Sequence, residues 1–173
     1  SNIIYEFMRF LALMSFLLFI SINNQTITDV EKSLQVHNSA RAEVGVADLI
    51  WSKELEKDAK NYAEILASKD GGLVHSKSKD NQGENLYYWH GSSSLFSGTP
   101  LSDASYSWYS EIKDYSYGPL KNDSNFYKIG HYTQMIWKNT THVGIASAIS
   151  KTGKVYVVAR YYPAGNYIGQ YPY

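Results

Sequence analysis

The spacing of apolar and polar positions changes several times along the chain, and each change marks a new element. Thr28-Asp-Val-Glu31 has the spacing of a capping box, in which the Thr hydroxyl and the Glu carboxylate each take up a free backbone N–H. Val30, Leu34, His37, Arg41 and Val44 then recur at helical intervals, and Gly45 is a stop signal. His37 and Arg41 fall on the buried side of this helix or at its margin, where backbone carbonyls are their expected partners. Ser52 is placed to cap a second helix whose apolar positions are Leu55, Ala59, Tyr62, Ala63 and Leu66. Residues 68–82 are rich in Lys, Asp, Ser and Gly and read as an exposed loop holding His75. Residues 83–89 form a short extended run with Glu84, Leu86 and Tyr88 on one face.

A second polar loop, residues 91–100, leads to a third helix with Ser102 as cap and Ala104, Trp108, Ile112 and Tyr115 as its stripe. Glu111 lies beside that stripe. Residues 117–129 are polar and irregular, and a brief helix begins near His131, carrying Met135 and Ile136 inward. Residues 142–149 and 154–162 are strands around Lys151-Thr-Gly153, a hairpin signal. Gly, Pro and Asn in residues 163–169 prevent regular structure. Helices on a compact antiparallel sheet give one α/β sandwich, with no repeat and no second domain.

The N-terminus follows a different pattern. Met8-Arg9 precedes an apolar run, residues 10–20, interrupted by Ser15. That run is too short for an ordinary membrane span and suits a secretory leader. Residues 1–24 are therefore expected to be a signal peptide with an upstream extension before Met8. Residues 25–173 form the domain, with no stable transmembrane anchor. Asn24, Asn122 and Asn139 head Asn-x-Ser/Thr triplets and are glycosylation candidates in a secreted chain.

Composition narrows the function classes. The 173 residues, with a mean hydropathy of −0.35, suit a single soluble domain. The 16 Lys+Arg and 16 Asp+Glu are interspersed, so no basic block offers nucleic acid a footprint. With no cysteine, the chain lacks disulfides, thiolate catalysis and cysteine metal ligation, and burial and hydrogen bonding must hold it together. Its 16 tyrosines fit either an aromatic-lined groove or a tyrosine-rich surface. The five histidines are His37, His75, His90, His131 and His142, and none belongs to a His-Glu-x-x-His motif. No serine sits in Gly-x-Ser-x-Gly, and no glycine loop is built to cradle phosphate. Glu84 and Glu111 could meet as a carboxylate pair, as could others.

Gly130-His-Tyr-Thr-Gln-Met-Ile-Trp137, continuing into Thr141-His-Val-Gly144, resembles the first signature of the CAP superfamily. These are the cysteine-rich secretory proteins, antigen-five venom allergens and plant pathogenesis-related proteins. Tyr161-Tyr-Pro-Ala-Gly-Asn166 resembles the second signature. His37-Asn38 with Arg41 is similar to the family's opening helix, and Trp51, Leu55, Ala59 and Ala63 to its next. Gly83-Glu-Asn-Leu86 and Trp108-Tyr-Ser-Glu111 are similar to the segments bearing its two acidic residues. The resemblance covers residues 28–169. It implies a three-layer α-β-α sandwich with a small antiparallel-type central sheet and a large cleft. In the cleft it implies a tetrad of His75, Glu84, Glu111 and His131. His75 and His131 would hold zinc or another divalent ion, while the glutamates ligate through water or accept the ring N–H groups. Metal would bind the neutral rings, so occupancy is expected to depend on pH. His37, Asn38, Arg41, Tyr132, Gln134, Trp137, His142, Tyr161, Pro163, Gly165 and Asn166 would serve the structural motifs.

The function so implied is a secreted, extracellular, monomeric and non-enzymatic protein that binds a sterol or fatty acid. Residues 87–100, with Tyr87, Tyr88, Trp89, Leu95 and Phe96, are the region expected to help form an apolar groove. One alternative is an effector or toxin-like module acting on an extracellular protein partner. Another is a hydrolase using a cleft histidine as base, for which no nucleophile stands out. The absence of cysteine and of a cysteine-rich tail before Tyr173 departs from many secreted animal members and speaks against ion-channel regulation. Ser1-Asn2 offers no myristoylation signature, which favours the extracellular location over a lipidated, Golgi-associated one.

Overall fold

Strands β3 (His142–Ile149) and β4 (Val155–Tyr162) form the centre, and β4 is buried from Val155 through Tyr161. A strand buried on both faces loses the usual apolar–polar alternation, which is why Val-Tyr-Val-Val-Ala reads as a continuous apolar run. β2 (Gly83–Trp89) pairs antiparallel with β4, and β4 antiparallel with β3. The two-residue β1 (Ile50–Trp51) adds to β3 in parallel, so the sheet is mixed, in the order β1-β3-β4-β2. This computed structural model describes residues 2–4, 26–77 and 80–173. Apart from residues 2–4, the expected leader, with Asn24, lies outside the described residues.

Among the described residues, one face of the sheet carries a single helix, α2 (Lys53–Lys69), capped by the Ser52 hydroxyl. Its Ala59, Ala63, Leu66 and Ala67 pack on Leu86, Ala146, Ala148, Tyr156 and Val158. Small residues on both surfaces bring the helix very close. At Gly144 a Cβ would fall 2.1 Å from the backbone nitrogen of Glu56, so only glycine fits there.

The other face carries α1 (Asp29–Glu43), α3 (Pro100–Tyr109) and α4 (Phe126–Met135). Val36, Ala40, Ala104, Trp108, Tyr132 and Met135 meet Val143, Ile145, Val157, Ala159 and Tyr161 in the larger core. The Thr28–Glu31 capping box starts α1, and Gly45, at φ 73°, follows its end. Within this layer Arg41 is 1% exposed, and its guanidinium donates to the carbonyls of Ala47, Met135, Trp137 and Thr140. The Asn38 amide ties down both Leu49 backbone groups.

Three sequence expectations need correction. Ser102 is not the cap of α3, which starts at Pro100; it lies in the first turn. The free N–H groups of Leu101 and Ser102 donate instead to the Asp29 carboxylate of α1, each at 2.9 Å. A carboxylate from a distant element does the capping, and no local pattern reports it. The third helix does not run to Tyr115 as one α-helix; it tightens into a 3₁₀ turn at Ser110–Asp114. Finally, α4 begins at Phe126, not near His131. Gly130, a poor helix former, conceals the first turn, which burial of Ile129 stabilises.

Candidate functional site

β2 is an edge strand, and a cleft of about 380 Å³ opens beside its first residues. Both His75 and His131 line it, with Gly83, Glu84 and Asn85 of β2 between them. The side chains of a strand alternate in direction. Glu84 therefore lies on the α2 face, with the loop that follows α2, and Asn85 on the face of α4. The four residues form two His–Glu arms, one from each layer.

In the first arm the His75 Nδ1 is 2.6 Å from Glu84 Oε1. The Glu84 side chain is wholly buried, whereas that of His75 is 58% exposed. Glu84 Oε1 also accepts from the Ser76 N–H at 3.0 Å, and Oε2 from the Ser76 hydroxyl at 2.7 Å. Arg160 Nη2 lies 3.1 Å from Oε2. In the second arm the His131 Nδ1 is 2.6 Å from Glu111 Oε1, and Glu111 Oε2 accepts from the Tyr132 N–H at 2.9 Å. The 3₁₀ turn after α3 brings Glu111 beneath α4. Trp108 stacks on His131 with ring centroids 6.2 Å apart and donates its indole N–H to the Leu86 carbonyl.

A carboxylate accepts hydrogen bonds, so each ring donates through Nδ1 and keeps its Nε2 lone pair. The glutamates thus accept ring N–H groups. Both oxygens of each are engaged by the protein, which leaves the two Nε2 atoms as the ring donors open to a ligand. Among the described residues no group of three or more His, Cys, Asp or Glu gathers to hold an ion. The donor set therefore fits an ion with two imidazole ligands and water, and does not fit a closed four-ligand zinc site.

The second signature supports this wall of the cleft. Asn166 donates to the Gly130 carbonyl and accepts from the Thr133 hydroxyl, and the Gln134 amide accepts from the Gly165 N–H. Gln134 also donates to Thr140, whose hydroxyl donates to the Pro163 carbonyl, while Trp137, 2% exposed, packs by Tyr167. Beneath the site, Asn85 donates to the His131 carbonyl and to the Tyr161 hydroxyl. His37 bonds to that hydroxyl through Nε2 and to the Ser33 carbonyl through Nδ1, each at 2.8 Å. Since a carbonyl only accepts, His37 donates through Nδ1 and Tyr161 donates to Nε2. Burial pushes His37 down to about 4, with the Arg41 charge adding to the effect, and burial pushes the Tyr161 phenol well up. His142 stands apart, bonded to the Thr141 hydroxyl.

Sequence reasoning missed Ser76, Asn85 and Arg160 as parts of the site. Arg160 had a signal, a charge inside an apolar strand; Ser76 had none. Residues 87–100 form no groove around Leu95. Leu95 is 75% exposed, and the Phe96 ring lies tilted against Trp89 instead, centroids 5.3 Å apart. A groove of about 270 Å³ lies elsewhere, between α1 and α3, with Val36, Ala40, Tyr106 and Tyr109 in its walls. No hydroxyl is hydrogen-bonded to His75 or His131 among the described residues, so the hydrolase alternative gains nothing from the geometry. Asn122 and Asn139 are exposed. Among the described residues no helix is long and apolar enough to cross a membrane.

The family model described as "CAP: Cysteine-rich secretory protein family" matches residues 34–161. The chain is 39% identical over 139 residues to the human Golgi-associated plant pathogenesis-related protein 1, covering 79% of this chain and 84% of that protein. It is 38% identical over 130 residues to venom allergen 5 of Polistes dominula, covering 71% of this chain and 54% of the allergen. Among solved structures, the crystal structure of NaASP2 with Zn2+ superposes with a TM-score of 0.68 at 28% identity, covering 84% of this chain and 85% of that one.

Proposed function

The chain belongs to the cysteine-rich secretory protein (CAP) family, whose members are predominantly non-enzymatic, and on that premise we propose a secreted binding protein whose cleft takes a divalent ion, zinc first, between His75 and His131. One observation carries the reading. Two imidazoles in one cleft are each tied through Nδ1 to a carboxylate 2.6 Å away, which orients the ring and leaves Nε2 for a ligand. The relative solved with Zn2+ supports the choice of ion. Bound there, zinc would offer open coordination positions to a donor from a partner or a small ligand. The extracellular location is supported by the family's secretory members and by the venom allergen and plant pathogenesis-related relatives. Zinc calorimetry on the full chain and on His75→Ala and His131→Ala tests the site. Each variant is expected to lose most of the heat, and equal binding by all three proteins would sink the reading.

A second reading, a fatty-acid or sterol ligand, is favoured by a different observation. The groove of about 270 Å³ between α1 and α3 is lined by the apolar Val36 and Ala40 and by the rings of Tyr106 and Tyr109, with Lys32, Gln35, Ser39 and Glu43 around them. Mass spectrometry of lipid co-purifying with the chain, repeated on Ser39→Trp to fill the groove, checks it. Equal lipid in both proteins removes the groove as its site.

A further inference from the structure

Arg160 is a cation in the apolar strand β4, and the metal reading does not use it. Its side chain is 7% exposed and lies 3.1 Å from the Glu84 carboxylate, which is wholly buried. The guanidinium is clamped on its other side. Nη1 donates to Gln82 Oε1 at 3.0 Å, and Gln82 in turn donates to Asp58 of α2 at 2.8 Å. Nη2 also donates to the Ser76 hydroxyl at 3.2 Å, which itself donates to Glu84 at 2.7 Å. A short chain of contacts therefore runs from α2 through Gln82 and Arg160 to Glu84 and His75.

Stability alone does not account for this arrangement. A buried ion pair commonly adds little over an apolar replacement of similar volume. Here the buried Arg160 Nε also has no hydrogen-bond partner, and the Tyr62 ring lies 5.5 Å from the guanidinium carbon. The contrast between the two arms gives a reason. Glu111 retains some exposure, at 17%, and among the described residues pairs with no Lys or Arg. Glu84 has no solvent contact, so its charge needs a cation inside the protein.

We propose that Arg160 is the positioning residue of the His75 arm: it balances and orients the Glu84 carboxylate, which locks His75 as the Nδ1–H tautomer with Nε2 turned to the cleft. Its consequence for metal rests on the zinc reading above, but the tautomer lock exists without metal. Arg160 touches no ligand itself; it acts through Glu84.

Nitrogen–proton NMR of the imidazoles in the metal-free full chain reads the tautomer directly, with His131 as internal reference. His75 is expected to be Nδ1–H in the parent chain and to lose that preference in Arg160→Met, while His131 stays unchanged. Arg160→Lys keeps a cation beside Glu84 and is expected to keep most of the lock, which a mere packing role would not predict. Zinc affinity should fall by up to about 10-fold in Arg160→Met, the low end of the effect of losing a direct partner of a metal ligand, because Arg160 acts one bond further out through Glu84. An unchanged His75 tautomer in Arg160→Met, or Lys as damaging as Met, overturns the proposal. Should Arg160→Met fail to fold, Gln82→Ala removes only the outer anchor and is expected to lower the Nδ1–H fraction of His75. No change there is equally fatal. A tautomer that responds in a chain that binds no zinc leaves the positioning role standing and removes the metal reading.

Discussion

Gly144→Ala tests how closely α2 rests on the sheet. The added methyl would lie 2.1 Å from the Glu56 nitrogen, 2.5 Å from the Leu55 carbonyl carbon and 2.8 Å from the Glu56 Cα. All three are backbone atoms in the first turn of α2, so no side-chain rotation relieves the clash. Moving the nearest from 2.1 Å to ordinary contact at 3.4 Å requires the helix to retreat by about 1.3 Å. That retreat would loosen Ala59, Ala63 and Ala67 from Ala146 and Ala148, whose small size allowed the close approach. The cost should reach the top of the range for overpacking, about 3 kcal/mol. For a domain of this size that is a fall of roughly 6–12 °C in Tm. Urea and thermal unfolding followed by circular dichroism measure it. Gly72→Ala, where nothing lies within 4 Å, is the control and should stay within about 0.5 kcal/mol of the parent. A Gly144→Ala loss below about 1 kcal/mol would refute the argument, because the sheet would then yield to the methyl at little cost.

Two further outcomes follow from particular contacts. His37 is neutral in the fold because burial, then the Arg41 charge, hold it near 4, whereas an ordinary imidazole titrates at 6.5. As pH falls the unfolded chain takes up this proton first, so the contribution is complete above 6.5 and is lost between 6.5 and about 4, up to about 3 kcal/mol. Urea midpoints should therefore fall more steeply with acid in the parent chain than in His37→Gln, and parallel pH profiles would count against it. Asp29→Ala removes the carboxylate that accepts from the Leu101 and Ser102 N–H groups and should cost about 1–2 kcal/mol in urea unfolding. A loss of less than about 0.5 kcal/mol would mean that Pro100 starts α3 unaided.

What the sequence determined by itself was the set of elements whose signals are local. The capping box at Thr28, the Ser52 cap, the apolar stripe of α2 and the hairpin at Lys151-Thr-Gly153 each depend on residues within a turn of one another. They were legible for that reason. The motifs also named the family, and the resemblance nominated His75, Glu84, Glu111 and His131, which the structure joins as two His–Glu pairs. Tertiary structure alone decided the rest. Asp29 caps a helix more than 70 residues away, the 3₁₀ turn aims Glu111 at His131, and Gly144 shows its purpose only against the backbone of α2. The division of the tetrad into two arms, and the place of Arg160 behind one of them, follow from strand alternation at the β2 edge and from a buried charge that solvent cannot reach. Such long-range pairings are set by which surfaces the fold brings together, and a linear pattern carries no record of them.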